Sequence, residues 1–469
     1  MLTVRRVAHM NQTIVALATP TGRSGIGVVR LSGTDALLIT RGLTADGDFD
    51  PEPRTAHLSD LVDPETRDVI DRAIVTYFRS PHSFTGEDVV EISCHGSPVL
   101  LRQVIDICLG AGARLANAGE FSLRALANGR IDLAEAEAIR DLIDAQSRAS
   151  ARQAVRQLSG AFSNRLQPLK DDLLNVIVVL ESALEFVEDD LPAMQLSKVR
   201  ETLGEIAQAT KRLADTYRAG HLIRDGLGVA IVGRPNVGKS SLFNALLSTD
   251  RAIVTDIPGT TRDQLHERFV INNIPISLID TAGLRETSDT VESIGVERSR
   301  RTMADADLII VVIDVSRKFT DEDSEILESV GELQYIVALN KIDKVPSHEI
   351  DDLVAGKNST FASQREKLIP ISAKNGAGLG ALQDAILAPF STDDIGDAGF
   401  LITDARHHDL LTRAHDEILQ SLEQLDQKLS EEIVLIGLHN ALRYLGEITG
   451  ETTTEDMLTR IFSTFCIGK

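Results

Sequence analysis

The chain of 469 residues carries 48 basic and 70 acidic side chains, a formal net charge of −22. Such a chain repels nucleic acid and acidic lipid at long range, so any contact with RNA must use a local basic patch. Its apolar runs fall short of the ~18 residues of a membrane span, and Cys94, Cys108 and Cys466 show neither metal-ligand spacing nor a disulfide framework, which suits a reducing cytoplasm.

Taken in order, the first ten residues carry Arg5 and Arg6 but no apolar core of a signal peptide. The first nine are expected to be frayed, with Met10 open as an alternative start. Residues 13–129 read as mixed α/β, with strands at 14–17, 26–31, 73–78 and 89–93 and a helix over 98–109. The Gly-rich turn from Thr21 to Gly27 lacks G-x-G-x-x-G order and opens no helix, so a dinucleotide fingerprint is set aside. Residues 132–158, 162–188 and 196–219 predict long helices, punctuated by Gly160, Pro168 and Pro192. Between Asp144 and Asp171 there is no acidic residue, while Arg148, Arg152, Arg156, Arg165 and Lys170 are present. Arg148, Arg152 and Arg156 share one helix face, readable as a solvated surface or as an RNA-facing stripe.

Residues 225–390 form an α/β unit with strands at 228–233, 267–271, 275–280, 308–315, 335–340 and 368–372. The first strand runs into Gly233-Arg234-Pro235-Asn236-Val237-Gly238-Lys239-Ser240-Ser241, a G-x-x-x-x-G-K-S phosphate loop that opens a helix. Glycines let the main chain wrap a phosphate, and the helix N-terminus adds favourable partial charge. Lys239 is expected to reach the β- and γ-phosphates and Ser240 to ligate Mg²⁺. Asp280-Thr281-Ala282-Gly283 ends a strand, placing Asp280 in the Mg²⁺ shell and the Gly283 N–H at the γ-phosphate. Thr260 and Thr261, within Thr255-Asp256-Ile257-Pro258-Gly259-Thr260-Thr261, sit where a switch threonine completes Mg²⁺ coordination.

Asn340-Lys341-Ile342-Asp343 follows a further strand. The Asp343 carboxylate can accept hydrogen bonds from guanine N1–H and the 2-amino group, and adenine offers neither donor. Ser372-Ala373-Lys374 completes the set with a backbone N–H for guanine O6. Five motifs in this order read as a Ras-like GTPase. Leu284 stands where many relatives carry a glutamine that orients the attacking water, so another polar group must do so. After it, residues 401–469 return to helices, and the nucleotide-binding unit reads as an insertion in a helical domain.

With these motifs, Gly259-Thr260-Thr261-Arg262-Asp263 and the final Cys466-Ile467-Gly468-Lys469, the chain resembles the MnmE (TrmE) tRNA-modifying GTPases over nearly its whole length. The resemblance implies a multidomain α/β plus α fold: an N-terminal α+β tetrahydrofolate-binding and dimerisation domain (1–129), a central helical domain (130–224), an inserted Ras-like P-loop G domain (225–391), and a second helical part (392–469). It implies GTP as substrate, Mg²⁺ held by Ser240 and Thr261, and K⁺ held by Asn236, Thr255, Ile257 and Thr260 in place of an arginine finger. Glu292 would orient the water that Leu284 cannot, and Arg262 and Arg285 would steady the switch loops. Folate, as 5-formyl- or methylene-tetrahydrofolate, would meet Arg30, Glu91, Arg130 and Lys469, although relatives can carry lysine at the place of Arg130. Cys466, beside the Lys469 ammonium, is a candidate for a chemical step. The implied assembly is a cytoplasmic homodimer that joins the flavoprotein MnmG in a heterotetramer and acts on C5 of the tRNA wobble uridine. A ribosome-assembly or signalling GTPase without modification chemistry is the alternative.

Overall fold

A computed structural model describes residues 12–185, 193–249, 267–271, 274–279, 306–331, 333–354, 367–388 and 399–468. The expectation for the first nine residues lies outside that set. In chain order the first elements are β1 (Ile14–Leu17), β2 (Ser24–Ser32), α1 (Ala36–Leu43), β3 (Ala56–Val62), β4 (Val69–Phe78), β5 (Val89–Gly96), α2 (Pro98–Gly110), β6 (Arg114–Leu115) and α3 (Glu120–Ala127). Helices α4 (Leu133–Asp144), α5 (Arg148–Leu158), α6 (Ser163–Glu185), α7 (Ala193–Asp215) and α8 (Tyr217–Asp225) follow. Next come β7 (Leu227–Val232), α9 (Lys239–Thr249), β8 (Glu267–Ile271), β9 (Ile274–Ile279), β10 (Leu308–Asp314), α10 (Asp321–Ser329), β11 (Tyr335–Asn340), α11 (Ser347–Val354), β12 (Leu368–Pro370) and α12 (Leu379–Leu387). The chain closes with α13 (Ala405–Asp426), α14 (Glu431–Thr449) and α15 (Glu455–Phe462). None of the described helices is long and apolar enough to cross a membrane.

Two compact units emerge: Met1–Ile143 with Ala154–Ala209 and Arg413–Lys469, and Asp144–Gln153 with Thr210–Thr412. The first holds a six-stranded sheet in the order β3-β4-β5-β2-β1-β6. Its strands alternate as a half-buried sheet requires: Val29 and Leu31 of β2 are fully buried, with the partly exposed Arg30 between them. Helices α1 and α2 cover that buried face through Ile39, Leu43, Leu101 and Val104. Ile14 and Ala16 of β1 point the other way, onto Phe121 of α3. In the helical part of this unit α6 and α14 run antiparallel, since Lys170 pairs with Glu451 at one end and Glu181 with His439 at the other.

Three details differ from the sequence reading. The helix expected over 132–158 is broken between Asp144 and Arg148, where Ser147 and Ser150 exchange side-chain-to-backbone hydrogen bonds, each 3.1 Å. Serines offer the backbone such an alternative to helix continuation. The helix expected over 196–219 likewise divides at Thr216, whose hydroxyl donates to Leu213 O at 2.7 Å. Lys170 leaves the basic run: it is buried against Glu451, whereas Arg148 and Arg152 are exposed.

The second unit holds a sheet in the order β12-β11-β10-β7-β9-β8, parallel except for the β8–β9 hairpin. Every residue of β10 and β11 is buried, as befits parallel strands covered on both faces. One face packs on α9 and α12 through Leu242, Leu246, Leu382 and Ile386. The other packs on α10 through Leu327. Strand-end residues of β7, β10 and β11 converge at one edge, where an open α/β sheet places its ligand site.

Candidate functional site

The loop from Gly233 to Gly238 joins β7 to α9. Gly233 has φ 149° and a Cβ there would lie 2.5 Å from Val312 O; at Gly238 (φ 104°) it would lie 2.3 Å from Asn340 Nδ2. Only glycine fits either place. Val237 anchors the loop in the core beneath, leaving Asn236 exposed in a left-handed conformation, φ 64°. Lys239 opens α9 and donates from Nζ to Gly233 O at 2.6 Å and Arg234 O at 2.8 Å. Burial pushes its pKa down. Ser240 and Ser241 follow in the first turn, where main-chain N–H groups and the helix dipole favour an anion.

A residue the sequence reading passed over holds the loop from the side. The Arg234 guanidinium reaches Asp323 and Glu322 at 2.9 Å each and the Thr320 hydroxyl. Thr320 and Asp323 form the reciprocal cap of α10. The bond to Asp323 raises the Arg234 pKa.

The second loop follows β11. Asn340, 2% exposed, donates from Nδ2 to Val237 O at 2.9 Å, and its Oδ1 accepts Lys341 N–H at 2.8 Å and Ala373 N–H at 3.0 Å. Both ends of the amide are thereby assigned by their partners. Lys341, itself left-handed at φ 68°, donates from Nζ to Asn236 O at 2.8 Å and to Asp314 Oδ2 at 2.6 Å. Asp343 accepts the Ser372 hydroxyl at 2.7 Å, a bond that holds its carboxyl below the usual range. Asn236, Val237, Gly238, Asn340, Lys341 and Ala373 are therefore one hydrogen-bonded or contacting group, with Asp343 and Ser372 beside it. Asp314 was also missed; the available signal was an acid ending a wholly apolar strand next to the phosphate loop.

Several expected residues lie outside the described part of the chain: Thr255, Asp256, Ile257, Pro258, Gly259, Thr260, Thr261, Arg262, Asp280, Thr281, Ala282, Gly283, Leu284, Arg285, Glu292 and Lys469. Among the described residues no group of three or more His, Cys, Asp or Glu side chains is placed to hold a metal.

The first unit contains a separate constellation. Arg30 on β2 donates from Nε and Nη2 to Glu91 Oε1 on β5, at 2.9 and 2.7 Å, and from Nη1 to Gly468 O at 3.1 Å. Its guanidinium carbon lies 5.8 Å from the centre of the Phe121 ring. The chain end reaches this place because Ile467 bridges to Ala118 and Gly119 N–H donates to Cys466 O at 3.4 Å. Phe462 and Phe465 are buried in a cluster with Leu133 and Ala136. The Cys466 side chain is exposed. Arg130 is exposed beside Gly86, where a Cβ would come within 3.2 Å of Arg130 Cγ. Burial pushes the Cys94 and Cys108 thiols to about 12, so neither serves as a thiolate.

Residues 13–130 match the family model for the GTP-binding protein TrmE N-terminus, and residues 133–466 match that for the MnmE helical domain. The tRNA modification GTPase MnmE of Koribacter versatilis is 44% identical over 466 residues, covering 98% of this chain and 100% of that protein. The protein of the same name from Aquifex aeolicus is 42% identical over 462 residues, with the same coverage. The solved G domain of the T. maritima FeoB iron transporter is 28% identical with a TM-score of 0.24, covering 34% of this chain and 97% of that one.

Proposed function

The chain belongs to the MnmE family of GTPases, and from that premise we propose that it couples GTP hydrolysis to modification of C5 of the wobble uridine in certain tRNAs. The observation that carries the GTPase half is the bonded group linking Asn236 and Val237 of the phosphate loop to Asn340 and Lys341 of the base loop. A triphosphate seated on the Gly233–Ser241 loop places its base over Asn340, Lys341 and Asp343. Lys239 turns from Gly233 O and Arg234 O to the β- and γ-phosphates. Lysine suits this exchange because its donors are not locked in one plane. Asp343, steadied by Ser372, accepts the two donors on the guanine edge. A base without them offers that carboxylate no donor, which favours the guanine edge.

Two cations complete the reading. Ser240, at the N-terminus of α9, suits Mg²⁺ with Thr261 and Asp280. Asn236, held outward by its left-handed main chain, suits K⁺ with Thr255, Ile257 and Thr260. The cations would supply charge neutralisation at the phosphates. Glu292 orients water in place of Leu284.

For the second half, the support is chemical. Arg30, Glu91 and the chain end meet on one sheet face, a carboxylate suits an amino-pyrimidine edge, and Arg130 and Lys469 suit a glutamate tail. We therefore assign this constellation to 5-formyl- or methylene-tetrahydrofolate, with Cys466 a candidate for the chemical step. The assembly is a cytoplasmic homodimer working with the flavoprotein MnmG in a heterotetramer, and the domains divide near 129/130, 224/225 and 391/392. The GTPase half is tested by turnover in potassium against sodium. Hydrolysis should rise several-fold or more in potassium, and Asn236→Ala should lose that response; equal rates in both salts would refute the cation assignment.

A further inference from the structure

We propose that Asp314 is a positioning residue for GTP hydrolysis, holding Lys341 against the main chain of Asn236 so that the base loop and the phosphate loop keep one geometry. The inference rests on the GTPase reading above and adds to it a residue that lies in none of the nucleotide motifs.

Asp314 ends β10, and its side chain is only 4% exposed. Its Oδ1 accepts the Ser316 N–H at 3.0 Å and the Ser316 hydroxyl at 2.6 Å, while Oδ2 takes the Lys341 ammonium at 2.6 Å. Burial pushes the carboxyl up, but the Lys341 and Ser316 bonds outweigh it and hold the group below its usual value. The carboxylate is thus charged and fixed by a turn of its own strand end.

The next link is Lys341 Nζ to Asn236 O at 2.8 Å. Asn236 and Lys341 are both non-glycine residues in the left-handed region, at φ 64° and 68°. Such conformations persist where the surroundings over-determine them. A lysine head on four methylenes is a poor clamp unless something fixes it. Here the charge-assisted bond to Asp314 does so. A second tie between the loops, Asn340 Nδ2 to Val237 O at 2.9 Å, does not involve Asp314. Loss of the carboxylate charge therefore leaves the loops joined at Val237 and frees Asn236. That separates two effects: nucleotide binding survives, and the geometry at Asn236 needed for turnover does not.

The test compares the wild-type chain with Asp314→Asn, which preserves shape and the acceptor for Ser316. The expected result is a kcat about tenfold lower, with the Kd for GDP within about threefold of wild type and the half-saturating potassium concentration several-fold higher. Ser316→Ala removes a donor to the same carboxylate and leaves the lysine bond, so its kcat should stay within about twofold. Lys341→Met cuts the link from the other end and leaves β10 intact, and combined with Asp314→Asn it should add no further loss of kcat. An unchanged kcat in Asp314→Asn, an equal loss in Ser316→Ala, or additive losses in the double variant would overturn the proposal. Absence of GTP hydrolysis in the wild-type chain would instead overturn the reading beneath it, and the proposal with it.

Discussion

Arg30 and Glu91, neighbours across β2 and β5, share two hydrogen bonds onto one carboxylate oxygen, and the remaining arm of the same guanidinium holds the main chain at Gly468. A strand near the start of the chain thereby fixes the place of its end. Among the described residues, the bonds to Glu91 both fall on Oε1. Glu91→Gln keeps the size and loses the charge. Folate affinity should fall about tenfold or more, with GTP turnover within about twofold of wild type. Calorimetry with a reduced folate and a steady-state GTPase assay check both; a fall in both together would point to misfolding of the sheet instead.

The chain end should separate the two chemistries. Removal of Ile467 to Lys469 cuts the bridge to Ala118 and the acceptor for Arg30, and none of the three residues belongs to the phosphate-loop motif. Cys466→Ser removes a thiol whose side chain is exposed. GTP hydrolysis should be near wild type in both, with tRNA modification lost or strongly reduced. Full modification in both variants would make the tail structural and remove Cys466 from the chemistry.

Gly238→Ala should abolish nucleotide binding. The added methyl would lie 2.3 Å from Asn340 Nδ2 at a φ of 104°, so either the loop or the Asn340–Val237 bond must give way. Equilibrium binding of GDP should weaken by at least about a hundredfold, from lost contacts and strained main chain. Binding within a few-fold of wild type would mean the loop has another stable shape.

Asp343→Asn exchanges a double acceptor for an amide with one donor end. Preference for guanosine over xanthosine triphosphate should fall at least about tenfold, because xanthine offers a carbonyl where guanine has its amino group. Competition binding measures it directly. An undiminished preference for guanine would place specificity elsewhere.

Acid should loosen the second unit through Asp404. Its carboxylate bonds Arg224 at 2.6 Å, where α8 meets the segment before α13. Burial pushes its pKa up, but the charges of His407 and Arg224 outweigh that and hold it far below the usual range. A folded pKa below the unfolded value gives stability that is present above the unfolded pKa of about 4 and disappears as pH falls towards the folded value. Asp404→Asn should lower the melting temperature at pH 7, by a loss of about 3–5 kcal/mol, and flatten the decline of stability below pH 4 relative to wild type. Parallel acid limbs in the two proteins would contradict the assignment.

How much could be read from residues alone depends on how local the cause is. The strands of the second unit were legible because each is a short apolar, β-branched run, and the motifs sit at their ends. α1 and β3 were not expected. The helix is eight residues long, and β3 is an edge strand whose Leu58 is 68% exposed, so neither carries a long periodic signal. The breaks at Ser147 and Thr216 depend on hydroxyls choosing a backbone partner. Lys239, Asn340 and Asp343 were legible from motif spacing. Asp314 and Arg234 were not, because their partners Lys341 and Asp323 are brought to them only by sheet packing.

Nucleoside mass spectrometry of tRNA tests most directly whether GTP turnover and tRNA chemistry are joined in this one chain. A strain lacking this chain should lose the C5 group on wobble uridine. Wild type should restore it, and Lys239→Ala, which removes the phosphate-loop ammonium, should not. Fully modified wobble uridine in the deletion strain, or full restoration by Lys239→Ala, would contradict the account.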